Sequence, residues 1–359
     1  MLVCQRLNLN HDHIGGHNSP MSSPRKGKKR SRTDSLENNS DTAQSSSAEM
    51  NKAKKLKLLA SHALVSPFPK HPHPTSAQCY DVYNLLMKTH PDIHATRREP
   101  RDSNNSARTC GSVPNVLESL IGTILSQNTS GKNSTAAKRN LDLIFGRNNF
   151  QAIAEAQKSE VVEAIRSGGL ANKKAEVIQR VLRETKQRHG IYSLQHLAGV
   201  AEENTDAKRK DREERKPVSN EEAMKELVSF EGVGPKTASC VLLFCLGRTS
   251  FPVDTHVFRL SRLLNWVPAK ADRVTAQAHL DLTIPNELKF GLHVLMVGHG
   301  RRCKGCKSAN SVKGECVLKE YMKNHRGVKE EDIEKSIADV EIEAKYEIDS
   351  DVETKPVVQ

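Results

Sequence analysis

The 359-residue sequence lacks any long hydrophobic run. It contains no stretch of about 18 consecutive apolar residues, which excludes a membrane-spanning helix, and its first residues, MLVCQRLNLNHDH, lack the apolar stretch of a secretory signal peptide. Hydrophobic residues make up 36% of the chain, a low share for one compact globule. We therefore expect ordered cores flanked by polar tails.

Cysteines are few, and they do not form the pattern of a disulfide framework. Of the eight, only Cys303, Cys306 and Cys316 are grouped, so without a secretory signal we expect thiols or metal ligands. Clean strand-like alternation of apolar and polar residues is also missing. Apolar residues recur instead at helical spacing through residues 77–322, which predicts an all-α fold.

Charge is unevenly distributed along the chain. The net charge is +12 and the pI is about 9.3. Residues 328–359 contain eleven carboxylates and four lysines, a net charge of −7, so the rest of the chain carries +19. This asymmetry indicates that the body of the protein binds a polyanion such as nucleic acid.

Composition divides the chain into a body and two tails. We predict a disordered basic tail over 1–76 and a disordered acidic tail over 323–359. The basic clusters at 25–32 and 52–57 favour nuclear import, with a solvated tail of no further role as the alternative. The charged segment 202–217 is interpreted as a surface insertion, and a DNA-contacting loop is the alternative.

The most informative segment runs from Ser219 to Leu264. Ser219 and Glu222 form a capping box at the start of a helix that leads into Gly232-Val233-Gly234. Two glycines permit a tight turn, and Pro235 suits the first position of the next helix. The product is a pair of helices joined by a hairpin, whose backbone N–H groups can bind phosphate without reading sequence.

Two residues near this hairpin carry reactive groups. Lys236 follows the hairpin directly, and Asp254 stands 18 residues later at the predicted N-cap of another helix. Taken singly, the lysine would only contact phosphate and the aspartate would only cap its helix. Together they suggest chemistry.

The whole pattern resembles the helix-hairpin-helix DNA glycosylases, the HhH-GPD superfamily, and within it the endonuclease III branch. The resemblance spans about residues 77–322, and it is carried by the segments Ile124–Thr129, Gly168–Ala175, Gly232–Ala238, Val253–Val257 and Ile284–Gly300. It implies two helical lobes with a cleft between them. A barrel lobe over 112–248 would end in the hairpin motif, and a second lobe would combine 249–322 with an N-terminal helix within 77–111.

The resemblance implies a mechanism as well. The neutral amine of Lys236 would attack the sugar C1′ of a damaged nucleotide and displace its base, giving a Schiff base that permits strand cleavage by β-elimination. The protein would then be both an N-glycosylase and an abasic-site lyase. Asp254 would stabilise the cationic sugar and help to move protons, and Lys236 and Asp254 would face each other across the cleft.

The implied partner is double-stranded DNA whose damaged nucleotide is flipped out of the helix. Gln127 and Asn128 are the candidates to fill the gap, and which of them inserts is open. The other residues expected to contact DNA are Gly232, Val233, Gly234 and Thr237. Adenine-excising relatives carry a catalytic glutamate where this chain has a segment near Thr123 without a carboxylate, which favours the lysine-dependent branch.

Oxidised pyrimidines are the substrates that the resemblance implies. Two alternatives are a DNA-binding module that has lost catalysis and a glycosylase for methylated cytosine or mismatched thymine. We expect a monomer that acts in the nucleus, with the mitochondrion as the alternative, and no membrane partner.

The grouped cysteines depart from the family pattern, which is Cys-x6-Cys-x2-Cys-x5-Cys around an iron–sulfur cluster. This chain has Cys303-x2-Cys306-x9-Cys316, so the first ligand is missing. We therefore expect no cofactor and a metal-free remnant of the loop. The alternatives are zinc held by His299 with the three cysteines and an incomplete iron–sulfur cluster with an unusual fourth ligand.

Overall fold

The computed structural model describes residues 65–95, 115–199, 218–306 and 316–326. Within these ranges the chain forms α-helices, short 3-10 turns and one π-helical turn, and no strand, so the prediction of an all-α fold is confirmed. No helix among these residues has the length and apolar character needed to cross a membrane. The helices are α1 Ser76–Thr89, α2 Val116–Leu125, α3 Gly131–Phe145, α4 Phe150–Glu155, α5 Lys158–Ala164, α6 Ala171–His189, α7 Asn220–Ser229, α8 Pro235–Cys240, α9 Thr255–Leu263, α10 Arg273–Thr283, α11 Lys289–Arg302 and α12 Val317–Arg326.

Helices α2 to α8 enclose one hydrophobic core, whose buried residues run from Val116 to Leu246. Helix α2 lies at its centre, since nine of its ten residues are buried. The one carboxylate of that helix, Glu118, is paired with Lys138 of α3 at 3.1 Å and with Arg147 at 3.2 Å. These pairs offset the cost of burying its charge.

A second core joins both ends of the described chain. Its buried residues come from 68–95 and from 243–322, and its largest member is Trp266. Helix α11 packs against both α1 and α9, and twelve of its fourteen residues are buried. The N-terminal helix is thus part of the core that α9 to α12 build.

The two cores meet at the end of the hairpin helix. After α8 the backbone widens into a π-helical turn, Val241–Cys245. Val241 and Leu242 face the first core, while Leu243 belongs to the second. Because the turn is wider, the consecutive residues Leu242 and Leu243 pack into different cores. A regular α-helical spacing of apolar residues would not predict this arrangement.

Helix α1 ends at Thr89 because Pro91 follows and disfavours helical backbone at the residue before it. One boundary differs from the sequence expectations. The described chain begins at Val65, within the segment expected to be a tail, and Phe68 is buried in the second core. A single aromatic anchor in a Pro- and His-rich segment leaves no periodic signal.

Several predicted features lie outside the described residues. These are the basic clusters at 25–32 and 52–57, the charged segment 202–217 and all of the acidic tail beyond Arg326.

Candidate active site

The glycine hairpin connects α7 to α8. Its entry is set by the capping box of Ser219 and Glu222, which begins α7 as predicted. Gly232 has φ +84°, and a Cβ placed on it would lie 2.5 Å from Cγ2 of Val177 in α6. Backbone conformation and packing both require glycine at this position.

The two hairpin residues after Gly232 have different surroundings. Val233 is 1% exposed in the first core, and its N–H donates to the Phe230 carbonyl at 3.1 Å. The Val233 side chain therefore packs in the core, and its N–H closes the hairpin. Neither group is available to a ligand. Gly234 is partly exposed and is the N-cap of α8.

Lys236 lies in the first turn of α8, immediately after Pro235. Its side chain is partly exposed, whereas the next residue, Thr237, is 4% exposed. The helix start thus fixes the lysine backbone, and the lysine lines a cavity. Gly234 and Thr237 line the same cavity as Lys236.

Asp254 is the N-cap of α9, as the sequence predicts. Its Oδ1 accepts a hydrogen bond from the Val257 N–H at 2.8 Å. The second core fixes this helix start, since Val253 and Val257 on either side are buried there. One carboxylate oxygen caps the helix and the group remains partly exposed.

A cavity of about 740 Å³ between the two cores brings Lys236 and Asp254 together. Residues of α2 and α8 line one side, and residues of α9, α10 and α11 line the other. Among the described residues that line it, Asp254 supplies the only carboxylate, while Lys236, Arg273 and Arg301 supply positive charge. The cavity therefore suits an anionic ligand and leaves one negative group at its wall.

Electrostatics keep Asp254 ionised. Desolvation raises the pKa of this carboxyl, but His293, Lys236, His256 and the Val257 N–H together hold it below its ordinary value of 3.8. The two histidines contribute only when their rings are protonated, whereas the Lys236 ammonium and the Val257 N–H act without them. Asp254 is consequently a carboxylate across the physiological range.

His293 of α11 also lines the cavity and is 4% exposed. Burial lowers its pKa to about 4, although the nearby Asp254 carboxylate opposes the shift. Its Nδ1 lies 2.9 Å from the Pro252 carbonyl. A neutral ring must donate from Nδ1 there, which leaves Nε2 as a hydrogen-bond acceptor.

The segment after α2 reaches the hairpin helix. Gln127 Nε2 donates to Thr237 Oγ1 at 3.0 Å, and Asn128 adopts a left-handed backbone with φ 47°. Both Gln127 and Asn128 line the cavity. The structure thus brings two of the predicted DNA-contacting residues to the same wall as Lys236, with Gln127 already bonded to Thr237.

Sequence reasoning gave no site role to three residues of this cavity: His256, Arg273 and His293. His256 and His293 lie within segments that carry the family resemblance, but nothing in those segments shows that they face the cavity. His293 sits in an apolar run of α11 that is buried on nearly every side, so periodicity alone does not show which face meets the cavity.

The three grouped cysteines form a separate cluster at the end of α11. The ligand atoms of Cys303, Cys306, Cys316 and His299 lie within 4.8 Å of one another. Residues 307–315, between Cys306 and Cys316, lie outside the described residues.

Sequence comparisons identify the family. The sequence model of the HhH-GPD superfamily of base excision DNA repair proteins matches residues 121–285. A protein of Arabidopsis thaliana, named as a candidate DNA glycosylase, is 36% identical over 258 residues, which cover 67% of this chain and 81% of that protein. Endonuclease III of Thermotoga maritima is 30% identical over 207 residues, which cover 58% of this chain and 82% of that enzyme.

A non-covalent complex of endonuclease III with DNA superimposes with a TM-score of 0.49 and 23% identity, covering 68% of this chain and 93% of that chain. The two sequence relatives and the matched superfamily model lead to one assignment. The chain belongs to the HhH-GPD superfamily of base excision DNA repair proteins, in its endonuclease III-like group.

Proposed function

We propose that this DNA glycosylase is bifunctional, removing a damaged base from duplex DNA and then cleaving the abasic strand. One observation carries the proposal: the amine of Lys236 and the carboxylate of Asp254 line one cavity, each fixed at the start of a helix from a different core. A protein that only grips phosphate has no need of this pair.

In the proposed reaction, the neutral Nζ of Lys236 forms a bond to C1′ of a flipped nucleotide. The C1′–N glycosidic bond breaks, and the base leaves with the electron pair and takes up a proton. The C1′–O4′ bond then opens, O4′ keeps the electron pair and takes up a proton as a hydroxyl, and an iminium forms between Lys236 and C1′. Loss of a proton from C2′ expels the 3′ phosphate, and water then hydrolyses the imine and frees the lysine.

Asp254 has the charge that this sequence of steps needs. An ionised carboxylate stabilises the positive charge that develops on the sugar as the base departs. His293 is neutral and offers an acceptor nitrogen in the same cavity. We assign it a positioning role toward substrate or water, secondary to that of Asp254.

The wall formed by α2 favours lysine-dependent chemistry. Thr123 lines the cavity, and its hydroxyl donates to the Ser119 carbonyl at 2.9 Å. The nearest carboxylate on that helix, Glu118, is bound to Lys138 and is not among the lining residues. The described lining therefore offers no second acid that would activate water in place of Lys236.

DNA binding is assigned to the hairpin and the segment after α2. Gly234 is the N-cap of α8 and lines the cavity, which the positive Arg273 and Arg301 also border, and Gly232 is exposed on the hairpin. These groups grip phosphates without reading sequence. We propose that Gln127 or Asn128 fills the gap that the flipped nucleotide leaves.

Borohydride trapping on an abasic-site duplex tests the lyase. The amine that forms the Schiff base becomes covalently attached to DNA, so wild-type protein should give an adduct that Lys236→Ala abolishes. Lys225→Ala is the matched control, because Lys225 is exposed on α7 and paired with Glu221. Unchanged DNA binding with no adduct in the wild type would support a binding module and reject the enzyme.

A lesion panel tests the substrate. We propose oxidised pyrimidines, and base release should be measured separately from strand cleavage on duplexes carrying an oxidised pyrimidine, 5-methylcytosine or a thymine mismatch. Excision of either of the last two in preference to the first would replace the proposed substrate class while keeping Lys236 as nucleophile.

The place of action and the assembly state follow from weaker features. The basic clusters 25–32 and 52–57 support nuclear import, and a cavity complete within one chain supports action as a monomer. Imaging of a tagged chain with both clusters neutralised tests the first, and light scattering with and without duplex DNA tests the second.

A further inference from the structure

Four potential metal ligands meet at the end of α11, outside the active-site cavity. His299 is in the last turn of α11, Cys303 follows that helix, Cys306 closes a 3-10 turn at Lys304–Cys306, and Cys316 precedes α12. Three of the four are nearly inaccessible, with exposures of 2% for His299, 0% for Cys306 and 4% for Cys316.

The spacing of the ligand atoms fits a single tetrahedral ion. Zn–S bonds of about 2.3 Å and Zn–N bonds of about 2.0–2.1 Å, set at the tetrahedral angle, place N and S about 3.5 Å apart. The distance from Cys316 Sγ to His299 Nε2 is 3.6 Å, and all four atoms lie within 4.8 Å of one another. The ligand set, one imidazole and three thiolates, is one that structural zinc sites use.

The same group does not fit the four-cysteine iron–sulfur cluster of the family pattern. Only three cysteines take part, and the other described cysteines, Cys79, Cys240 and Cys245, are not members of the group. A cluster of several irons also lies between its ligand sulfurs and holds them farther apart than a single ion does. The geometry is therefore that of a mononuclear site.

A second histidine holds the ligand histidine in place. His90 Nε2 lies 2.9 Å from His299 Nδ1. When Nδ1 carries the ring proton and donates it to His90, the Nε2 lone pair of His299 points to the sulfurs. Metal-binding histidines commonly have their other nitrogen fixed in this way.

A buried arginine supplies the matching charge. Arg259 is 6% exposed, and its Nη2 donates to the Gly300 carbonyl at 3.1 Å. Its Nη1 is buried and has no hydrogen-bond partner among the described residues, and its partner Gly300 is next to the ligand His299 in the chain. Three thiolates, a neutral imidazole and Zn²⁺ sum to −1, which this guanidinium neutralises. Three neutral thiols would leave Arg259 as an unpaired buried cation.

We propose that His299, Cys303, Cys306 and Cys316 bind one structural zinc ion. The ion ties the end of α11 to the start of α12. Through His90 it also holds the end of α1 against α11. The proposal does not depend on the proposed lyase activity.

Elemental analysis of the full chain, purified without added metal or chelator, is the first test. We expect one zinc ion per chain, with little iron and no acid-labile sulfide. Replacement by Co²⁺ should give thiolate charge-transfer bands and the intense visible absorption of a tetrahedral site. Iron with labile sulfide, three free thiols without metal, or a disulfide among the three cysteines would each overturn the proposal.

Substitutions test which residues bind the zinc ion. His299→Ala and Cys303→Ser should lose zinc, whereas His299→Cys should retain it because four thiolates also bind zinc. His90→Ala should weaken zinc affinity roughly 10- to 100-fold. Cys79→Ala is the buried-cysteine control and should bind zinc like the wild type.

A second cluster needs its own control. The ligand atoms of His189, His196 and Glu226 also lie within 4.8 Å of one another. His196→Gln should leave the zinc content unchanged. If His196→Gln lost zinc while the cysteine variants retained it, the ion would belong to this second cluster and the proposal would be rejected.

A measurement on the unmodified chain covers the case in which variants fail to fold. A strong chelator should release the zinc and lower the melting temperature, and Zn²⁺ but not Mg²⁺ should restore it. A chelator-treated protein that has lost its zinc but melts at the original temperature would show that the ion has no structural role.

Discussion

Asp254 performs two tasks in our proposal, and two substitutions separate them. As the N-cap of α9 it accepts the Val257 N–H through Oδ1, which an asparagine side chain can also do. As a carboxylate it stabilises the cationic sugar, which asparagine cannot do. Asp254→Asn therefore keeps the cap and removes the charge, whereas Asp254→Ala removes both.

The expected magnitudes differ accordingly. Replacing an N-cap aspartate by alanine costs about 1 kcal/mol of folding free energy, and asparagine caps about as well as aspartate. For a folded body of this size, 1 kcal/mol corresponds to a melting shift of about 2–4 °C. Loss of one preorganised charge at the transition state costs about 10²- to 10³-fold in rate.

Two independent measurements give the change in stability and the change in reaction rate. Thermal unfolding should place Asp254→Asn near the wild type and Asp254→Ala a few degrees below it. Single-turnover base release on the preferred lesion should be reduced by a similar factor in both variants. A rate for Asp254→Asn equal to that of the wild type would refute the catalytic role, and a melting temperature as low as that of Asp254→Ala would refute the capping argument.

Three further outcomes follow from packing and charge. In a urea titration, Gly232→Ala should lower the free energy of unfolding by at least about 1–2 kcal/mol because of the left-handed backbone, and by more because the new Cβ meets Val177. A Cβ at Gly234 meets no atom within 4 Å, so Gly234→Ala should lower it by less than about 1 kcal/mol. Lys138→Met should cost about 3 kcal/mol, since it leaves the buried Glu118 without its closest cation. Desolvation raises the pKa of Glu118, but Arg147 and Lys138 outweigh desolvation and hold the pKa below 4.5. The ionised Glu118 therefore stabilises the fold above pH 4.5, and this stabilisation is lost as the pH falls through the folded-state pKa. Wild-type protein should accordingly destabilise on acidification more steeply than Glu118→Gln, and parallel curves would exclude this pairing as the cause.

The sequence predicted those parts of the site whose structure depends only on residues close together in the chain. The capping box of Ser219 and the N-cap Asp254 were predicted and are present, because a cap needs only its own side chain and the next three residues. The helical character of the body was predicted for the same reason, since apolar spacing is a property of each segment.

The features that were not predicted depend on distant contacts. Phe68 in the second core meets the ring of the distant His279, with 5.6 Å between the ring centroids, and the apolar spacing of its own segment does not indicate that contact. His293 is one of many buried residues on α11, so its exposure to the cavity depends on how that helix packs. The grouping of His299 with the three cysteines was one alternative from the sequence, and the closeness of His299 to Cys316 that it needs depends on α12 returning to α11.

The active site depends on how the two cores are held together, because each supplies one reactive group. Lys236 begins α8 in the first core, and Asp254 begins α9 in the second. Helix α11 packs on α9 and contributes His293 and Arg301 to the cavity, while six residues beyond His293 it ends in the proposed zinc site. At about 1.5 Å per residue, His293 and His299 are about 9 Å apart along one rigid helix. Loss of the ion would therefore disturb the wall that carries Asp254 and His293 and leave the hairpin with Lys236 in place, so borohydride trapping at a preformed abasic site should survive chelation better than base excision does.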